Sequence, residues 1–258
     1  MTNAVAVVFG RKNSRGLPEK NVRPILGRPL TAYAFLAASH AKTVSRIYAS
    51  TDSEEIARVG ETFGARWLPR PPELANDRAL LEDAIAAAFR QVCQRESSVP
   101  EYVAVLLSNA ATIPPGAIDE GVERLRRDPQ LDSVATVTRW NQYTPVRARI
   151  IGPDGLLGNY LPDAQVTQAT CDRNTTGDIF FVDASMAVVR PRALERIHEG
   201  LPPFRWLGRK IWPIAQQGGL DVDDEEGMML TEFWLRRHGF SETATPYETT
   251  PASTAAVR

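Results

Sequence analysis

The chain has 258 residues, enough for one α/β domain of ordinary size with a small additional lobe. Hydrophobic residues make up 43% and charged residues 24%, values that are usual for a globular protein. Because 30 Lys and Arg face 31 Asp and Glu, the net charge is −1 and no bulk field attracts nucleic acid or a membrane surface. We therefore expect neither as a partner.

The cysteines and the N-terminus bear on the compartment. Cys93 and Cys171 lack CxxC spacing, which predicts free thiols in a reducing environment. The apolar stretch 4–9 is too short to cross a membrane and has neither a basic segment before it nor a cleavage pattern after it. We therefore expect a cytoplasmic location.

Apolar runs of strand length alternate with stretches of helical periodicity through the first half of the chain. This alternation predicts an α/β fold with a mostly parallel sheet flanked by helices. The predicted strands are 4–9, 46–50, 66–68, 102–107 and 133–138. The predicted helices are 30–41, one from Glu54 to just before Gly64, one around 81–92, and one after Pro115.

The pattern changes after residue 138. Residues 139–176 are irregular and contain Gly152-Pro153-Asp154-Gly155, which predicts a turn between two short strands. We interpret this segment as an inserted lobe that caps the site or forms a subunit contact. The elements predicted beyond it are strands at 179–182 and 187–189, a short helix after Pro191 and a final helix at 224–237. The domain thus spans 1–240, and the Thr-, Ala- and Pro-rich tail 241–258 is predicted to be disordered.

A basic loop, residues 10–21, follows the first strand directly, at the end where open α/β sheets bind ligands. Residues 1–30 contain six basic side chains and one acid, Glu19. Cations, and close backbone approach at Gly16, are what a bound triphosphate needs. The loop matches neither the P-loop pattern nor the GxGxxG turn, which disfavours NTPases and dehydrogenases. A solvated basic surface loop would also explain the excess of charge.

Two aspartates, Asp221 and Asp223, lie just before the final helix. In an extended segment residues i and i+2 share a face, so the two carboxylates are able to converge on a hard cation such as Mg²⁺. The alternative is that they only favour the positive N-terminal end of the helix. We assign that second role to the acidic run 224–226 and keep both hypotheses for the aspartate pair.

Four segments together resemble the CMP-sialic acid synthetases (acylneuraminate cytidylyltransferases) and the related CMP-Kdo synthetases. They keep the family's order and approximate spacing and are 11–21 (RKNSRGLPEKN), 49–57 (ASTDSEEIA), 70–77 (RPPELAND) and 221–223 (DVD). The similarity extends over about 4–135 and 177–238. It implies a three-layer α/β/α nucleotide-binding domain, and a homodimer joined through the inserted lobe at 139–176.

The resemblance also implies roles for the matching residues. Those implied to bind CTP are Arg11, Ser14, Gly16, Lys20, Asn21, Arg70 and Asp77. Those implied to act in catalysis are Arg11, Lys20, Asp221 and Asp223, the two aspartates as ligands of Mg²⁺. The implied reaction transfers CMP from CTP to a small acidic acceptor and releases pyrophosphate.

One segment departs from the family and leaves the acceptor open. After the central strand the family usually carries a Gln-Pro-Thr-Ser-Pro type segment, whereas residues 108–113 read SNAATI. The family implies a 2-keto-3-deoxy sugar acid, nonulosonic or Kdo-like, as acceptor, and a phosphonate or another acidic metabolite is the alternative. A glycosyltransferase is disfavoured because the aspartates lie near the end of the chain. A non-catalytic relative is disfavoured because it would need neither the basic loop nor the aspartates.

Overall fold

The computed structural model describes residues 4–14, 16–76, 78–172 and 177–248. The strands in chain order are β1 (Ala4–Phe9), β2 (Pro24–Ile25), β3 (Arg28–Pro29), β4 (Val44–Thr51), β5 (Arg66–Pro69), β6 (Tyr102–Leu107), β7 (Ser133–Arg139), β8 (Arg149–Ile151), β9 (Leu157–Asn159), β10 (Phe180–Val189) and β11 (Ile211–Gln216). The helices are α1 (Ala32–His40), α2 (Glu54–Glu61), α3 (Leu81–Glu96), α4 (Ala117–Arg127), α5 (Asp163–Val166), α6 (Pro191–Glu195) and α7 (Glu225–Arg237).

Seven of these strands form one central sheet in the order β11-β7-β10-β6-β1-β4-β5. Neighbouring strands pair in parallel except at β10, which runs antiparallel to both β6 and β7. The carboxyl ends of the parallel strands therefore meet the amino end of β10 at one edge of the sheet, where such folds bind ligands. The predicted α/β fold with a mostly parallel sheet is confirmed.

Helices cover both faces of the sheet. The even-numbered residues of β1 belong to a core cluster with α1, α2 and α4, and the odd-numbered ones to a second cluster with α3 and α6. This division follows from the alternation of side chains along a strand. All six residues of β1 are buried, as expected for a strand covered on both faces. The three-layer α/β/α arrangement is confirmed.

Local signals in the first half of the chain place most elements correctly. The helix predicted from Glu54 is α2, where the Ser53 side chain accepts a hydrogen bond from the main-chain N–H of Ile56 at 3.4 Å. Such a cap satisfies one of the unpaired N–H groups at a helix start. The strand predicted at 102–107 has the bounds of β6.

One prediction in the second half is wrong. The sequence predicts separate strands at 179–182 and 187–189, whereas β10 is a single strand whose register shifts between Val182 and Ala187. The polar residues Asp183 and Ser185 interrupt the apolar pattern, which hides the continuity. Hydrogen bonds from neighbouring strands satisfy Asp183, so the strand continues through this polar stretch.

The sequence also misses β11. This strand lies at the edge of the sheet, paired in parallel with β7, and contains Pro213. Proline has no N–H to donate and is tolerated mainly at sheet edges, so the residue that conceals the strand also suits its position.

The lobe contains the predicted turn between two short strands. β8 and β9 pair as an antiparallel hairpin outside the central sheet, with Ile151 opposite Leu157. All six of their residues are exposed. Residues 173–176 lie outside the described part of the chain.

Residues 241–248 pack on the domain, which corrects the predicted disorder for this stretch. The Tyr247 hydroxyl donates to the main-chain oxygen of Ile113 at 2.8 Å, and its ring packs edge-on against Phe240 and stacks on His40. Burial raises the pKa of Tyr247. The composition of the tail concealed this one aromatic anchor. Residues 249–258 lie outside the described residues.

No helix within the described ranges is long and apolar enough to cross a membrane.

Candidate active site

The basic loop and the aspartate segment are in direct contact. The Lys20 ammonium donates to the main-chain oxygen of Val222 at 2.7 Å and to the Asp223 carboxylate at 2.5 Å. The Lys20 side chain is only 11% exposed, so its charge is compensated almost entirely by these partners. A second ion pair, Arg23 to Glu225, joins the end of the loop to the first turn of α7.

Gly16 allows the loop to approach this closely. A Cβ at Gly16 would overlap the main-chain oxygen of Asp223, so any other residue there would push the loop from the aspartate segment. Leu17 and Val222 are buried together in a core cluster that also contains Leu235 of α7. The contact between the two motifs therefore has an apolar base beneath its charges.

The two aspartates point to the same side, as predicted from their spacing. Val222 between them is fully buried, whereas Asp221 and Asp223 are exposed. The main-chain N–H of Val222 donates to the main-chain oxygen of Asn109 at 3.0 Å, which ties the segment to the end of β6. The Asn109 side-chain amide donates to the Asp221 carboxylate.

The aspartate pair has unfavourable electrostatics in the absence of a bound cation. Desolvation and, second, the charge of Asp223 raise the pKa of Asp221 to about 6. The charge of Lys20 and the Asn109 hydrogen bond act in the opposite direction. The Asp221 side chain is exposed, so solvent screens part of the effect. An added cation would relieve the repulsion that remains.

A cleft of about 270 Å³ opens between the loop and the start of α3. Arg11, Lys20 and Arg70 contribute three cations to its lining, and no acid lines it among the described residues. Its remaining wall is mostly apolar and includes Leu74, Ala79, Leu80, Leu81 and Ala84. Cations beside an apolar wall suit a nucleotide, with the phosphates at Arg11 and Lys20 and the base between Arg70 and the wall.

Two buried polar atoms at this cleft lack hydrogen-bond partners. They are Oδ1 of Asn21 and Nε of Arg70. The Asn21 side-chain amide donates to the main-chain oxygen of Arg11 at 3.0 Å, and the Arg70 guanidinium donates to that of Ser50 at 2.8 Å. Burial lowers the pKa of Arg70. Buried unpaired polar groups are energetically costly. A ligand in this cleft that donates to Asn21 Oδ1 and accepts from Arg70 Nε would remove that cost.

The other nucleotide-site residues predicted from the sequence are placed less decisively. Ser14 is half-buried in the loop and is not part of the lining of the cleft. Asp77 lies outside the described residues. The structure thus brings Arg11, Lys20, Asn21 and Arg70 together at one cleft.

A neighbouring cavity of about 350 Å³ is a poorer candidate for a triphosphate. It lies on the other side of Asn21, between the loop and α2. Its charged lining consists of Lys12, Glu19, Asp52, Glu54, Glu55 and Arg58. Four carboxylates against two cations would repel phosphates, so the cleft with three cations is the better nucleotide site.

Sequence reasoning flagged the segment 108–113 but not the role of Asn109. The amide of Asn109 contacts Asp221, and its side chain also lines the cleft. Its position immediately after the central strand β6 was the available signal, because strand ends meet at the ligand-binding edge. Ser108 is buried and accepts a hydrogen bond from the Thr31 hydroxyl at 2.9 Å, so it supports the loop from below.

The chemistry of the aspartate pair fits Mg²⁺. Within the described ranges, no group of three or more His, Cys, Asp or Glu is placed to hold a metal. Two carboxylates that repel each other are nevertheless a suitable partial ligand set. Mg²⁺ commonly takes one or two carboxylates plus waters and substrate phosphates. The cleft supplies the place for those phosphates next to the pair.

The sequence profile of the cytidylyltransferase family matches residues 5–146, more than half of the chain. The chain belongs to the cytidylyltransferase family. The matched range includes the basic loop, the cleft-lining residues around Arg70, and Asn109. The resemblance to CMP-sialic acid and CMP-Kdo synthetases is confirmed.

Individual relatives agree with this family. N-acylneuraminate cytidylyltransferase A of Danio rerio is 30% identical, over 54% of this chain and 31% of that protein. CMP-N,N'-diacetyllegionaminic acid synthase of Campylobacter jejuni is 37% identical, over 39% of this chain and 48% of that protein. The matched segments thus cover less than half of either relative.

A solved structure shares the fold over almost its whole length. It is CMP:2-keto-3-deoxy-manno-octonic acid synthetase complexed with CTP, with a TM-score of 0.65 at 14% identity. The match covers 92% of this chain and 99% of that one. At this identity the likeness shows the fold alone.

We predict that Asp221→Asn stabilises the ligand-free protein above pH 6. A raised pKa means that the folded state keeps its proton while the unfolded carboxyl, with a pKa near 3.8, has lost it. Stability is therefore lost as the pH rises from about 4 to about 6, and the substitution removes this loss. Melting temperatures should be higher for Asp221→Asn at pH 7.5 and converge with the wild type near pH 4.

The control is Glu61→Gln, which removes an exposed acid at the end of α2. We expect it to melt within a degree or two of the wild type at both pH values. A lower melting temperature for Asp221→Asn at pH 7.5 would show that the folded protein stabilises the ionised form of Asp221, which would contradict the prediction.

Proposed function

We propose that this protein transfers CMP from CTP to an acidic sugar and releases pyrophosphate. The observation that carries the proposal is the direct contact of the basic loop with the aspartate segment, through Lys20 and Asp223, beside a cleft lined by cations. Nucleotidyl transfer needs cationic side chains that hold the phosphates and carboxylates that hold a metal ion next to them. This contact brings the two groups of side chains together.

We assign binding of the base to the two unpaired atoms of the cleft. Oδ1 of Asn21 accepts a hydrogen bond and Nε of Arg70 donates one. Cytosine offers an exocyclic amine as donor, and a ring nitrogen and a carbonyl oxygen as acceptors. It therefore satisfies both protein groups. Uracil and adenine also offer one donor and one acceptor each, so the expected preference for cytosine rests on the family.

The chemical step depends on positioning and charge. Arg11 and Lys20 offset charge on the phosphates, and this offset grows in value as pyrophosphate departs. Asp221 and Asp223 would hold Mg²⁺, which, when bound, neutralises charge on phosphate oxygens and favours the ionised form of an acceptor oxygen near it. Asn109, which lines the cleft, donates to the Asp221 carboxylate and so joins the aspartate pair to the cleft.

The acceptor class rests on the relatives. Two of them are named for N-acylneuraminate and for N,N'-diacetyllegionaminic acid, which are both sugar acids. We infer a 2-keto-3-deoxy sugar acid, nonulosonic or Kdo-like, for this protein. The different segment 108–113 favours a second candidate, a phosphonate or another acidic metabolite, because it lies beside the aspartate pair.

Titration with CTP, UTP, ATP and GTP in the presence of Mg²⁺ tests the nucleotide half. We expect clear preference for CTP, measured by calorimetry. Arg70→Ala should weaken CTP binding about tenfold or more, because the buried donor is lost and the acceptor of the base that it would bind is left without a partner. Asp221→Asn should lose the dependence of CTP binding on Mg²⁺.

The matched control is Arg66→Ala, which removes an exposed cation from the same strand, β5, and should leave CTP affinity within about twofold. Pyrophosphate release with a panel of sugar acids and phosphonates then selects the acceptor. Equal or absent binding of all four nucleotides would contradict the proposal.

We also infer a homodimer joined through the lobe. Large apolar side chains are at least half exposed there, far more than a free surface favours. They are Tyr143, Ile150, Ile151, Leu156, Leu157 and Tyr160. A second copy is the occupant implied by the family, and it would remove this apolar surface from water.

Charge placed on the hairpin should separate the subunits. The double variant Ile151→Asp, Leu157→Asp puts two carboxylates on one cross-strand pair of the hairpin. We expect it to sediment as a monomer at concentrations where the wild type is a dimer. Val99→Asp, at another exposed apolar position before β6, is the control and should leave the dimer intact. A monomeric wild type would refute this inference.

A cytoplasmic location is part of the same proposal. Cys93 and Cys171 are both free thiols, one half-buried and one exposed, which suits a reducing compartment.

A further inference from the structure

We propose that Asp183 is the positioning residue that fixes the segment carrying Asp221 and Asp223. The catalytic meaning of this role rests on the proposed function, whereas the positioning itself does not. Asp183 is buried in the interrupted part of β10, at the edge of the sheet where the carboxyl ends of β7 and β11 meet.

Four donors converge on the Asp183 carboxylate from three strands. Oδ1 accepts from the Thr136 hydroxyl at 2.6 Å and from the main-chain N–H of Ser185 at 3.0 Å. Oδ2 accepts from the Gln216 amide at 2.6 Å and lies 3.0 Å from the Thr138 hydroxyl. The partners come from β7, β10 and β11, so one carboxylate ties together three adjacent strand ends.

The backbone is distorted to keep Asp183 in this position. The next residue, Ala184, has a φ of 56°, in the left-handed region that a residue with a Cβ rarely adopts. The register of β10 against β7 shifts across the same stretch. Strain of this kind persists where the surroundings require it, and it often accompanies a functional site.

The loop that leads to Asp221 lies directly on this carboxylate. Gly219 has a φ of 66°, and a Cβ there would stand 2.6 Å from the Cβ of Asp183 and 2.7 Å from its Oδ2. The Thr138 hydroxyl is also 3.2 Å from the main-chain oxygen of Gly218. The loop therefore cannot move closer to Asp183, and no side chain fits between them.

On its other side the same loop is held by Thr112. The Thr112 hydroxyl accepts from the main-chain N–H groups of Gly219 and Leu220, both at 3.1 Å. The loop is therefore clamped between Thr112 and Asp183, and Asp221 is the next residue along the chain. Loss of the Asp183 support should free the aspartate segment from one side.

Asp183→Asn is the decisive variant, because it keeps the size of the side chain. Whichever way the amide is turned, its NH₂ group faces two of the four donors, and the cluster has to rearrange. Asp132→Asn is the matched control. Asp132 lies at the opposite end of β7 and also accepts several hydrogen bonds, from the main-chain N–H groups of Arg209 and Lys210 and from Arg192.

The first readout is amide hydrogen exchange without metal or nucleotide. We expect exchange at Gly219 and Leu220 to accelerate at least tenfold in Asp183→Asn relative to the amides of β1, which report global opening. In Asp132→Asn, exchange at Gly219 and Leu220 should change by the same factor as exchange at the amides of β1. Unchanged protection of Gly219 and Leu220 in Asp183→Asn would overturn the proposal.

The second readout is the affinity for CTP with and without Mg²⁺. In Asp183→Asn the gain in affinity from Mg²⁺ should fall about tenfold, with affinity for CTP alone within about twofold of wild type. Asp132→Asn should keep the full gain. If Asp183→Asn does not fold, Gly219→Ala displaces the same loop and takes its place. A wild type whose CTP binding ignores Mg²⁺ would overturn the proposed function, while the exchange result still decides the role of Asp183.

Discussion

The ion pair between Lys20 and Asp223 joins residues 203 positions apart in the sequence, and the rest of the site depends on it. A lysine with little exposed surface requires a nearby anion, and the anion it finds belongs to the aspartate segment. The pair therefore fixes where the C-terminal part of the chain returns to the sheet. Gly16 permits the approach and the Arg23–Glu225 pair extends it to α7. Neither motif alone would define a site, because each supplies the counter-charge of the other.

Charge is divided unevenly around this contact. The cleft side carries Arg11, Arg70 and Lys20. The segment on the other side carries Asp221 and Asp223, and desolvation and the charge of Asp223 raise the pKa of Asp221. Lys20 lies on the boundary, and its three N–H donors allow it to keep the Val222 oxygen while others turn to phosphate oxygens. The ligand-free protein thus has the guanidinium groups of Arg11 and Arg70 in the cleft and the Asp221 carboxylate beside it. The proposed triphosphate and divalent cation would add charge of the opposite sign at each place.

Sequence reasoning succeeded where local patterns and short-range chemistry decide the structure. The strand β6 and the helix α2 with its Ser53 cap follow from periodicity and capping, and the spacing of Asp221 and Asp223 predicts their common face. It failed where distant residues decide. Asp183 breaks the apolar pattern of β10, yet donors from β7 and β11 satisfy it, and only the assembled sheet shows them. The hydrogen bond of Tyr247 to Ile113 is likewise not predictable from a C-terminal segment rich in Thr, Ala and Pro.

The segment that departs from the family pattern, residues 108–113, contacts both the basic loop and the aspartate loop. Its first residue, Ser108, is buried beneath Gly10, where a Cβ on the glycine would overlap the serine side chain, and it bonds with Thr31. Its fifth residue, Thr112, holds the loop before Asp221. Only Asn109 reaches both the cleft and the carboxylate pair. The segment thus supports the basic loop at one end and the aspartate loop at the other, and between them Asn109 joins the cleft to the aspartate pair. A change in this segment therefore acts on the two motifs chiefly through their supports, because Asn109 is its one side chain at the cleft.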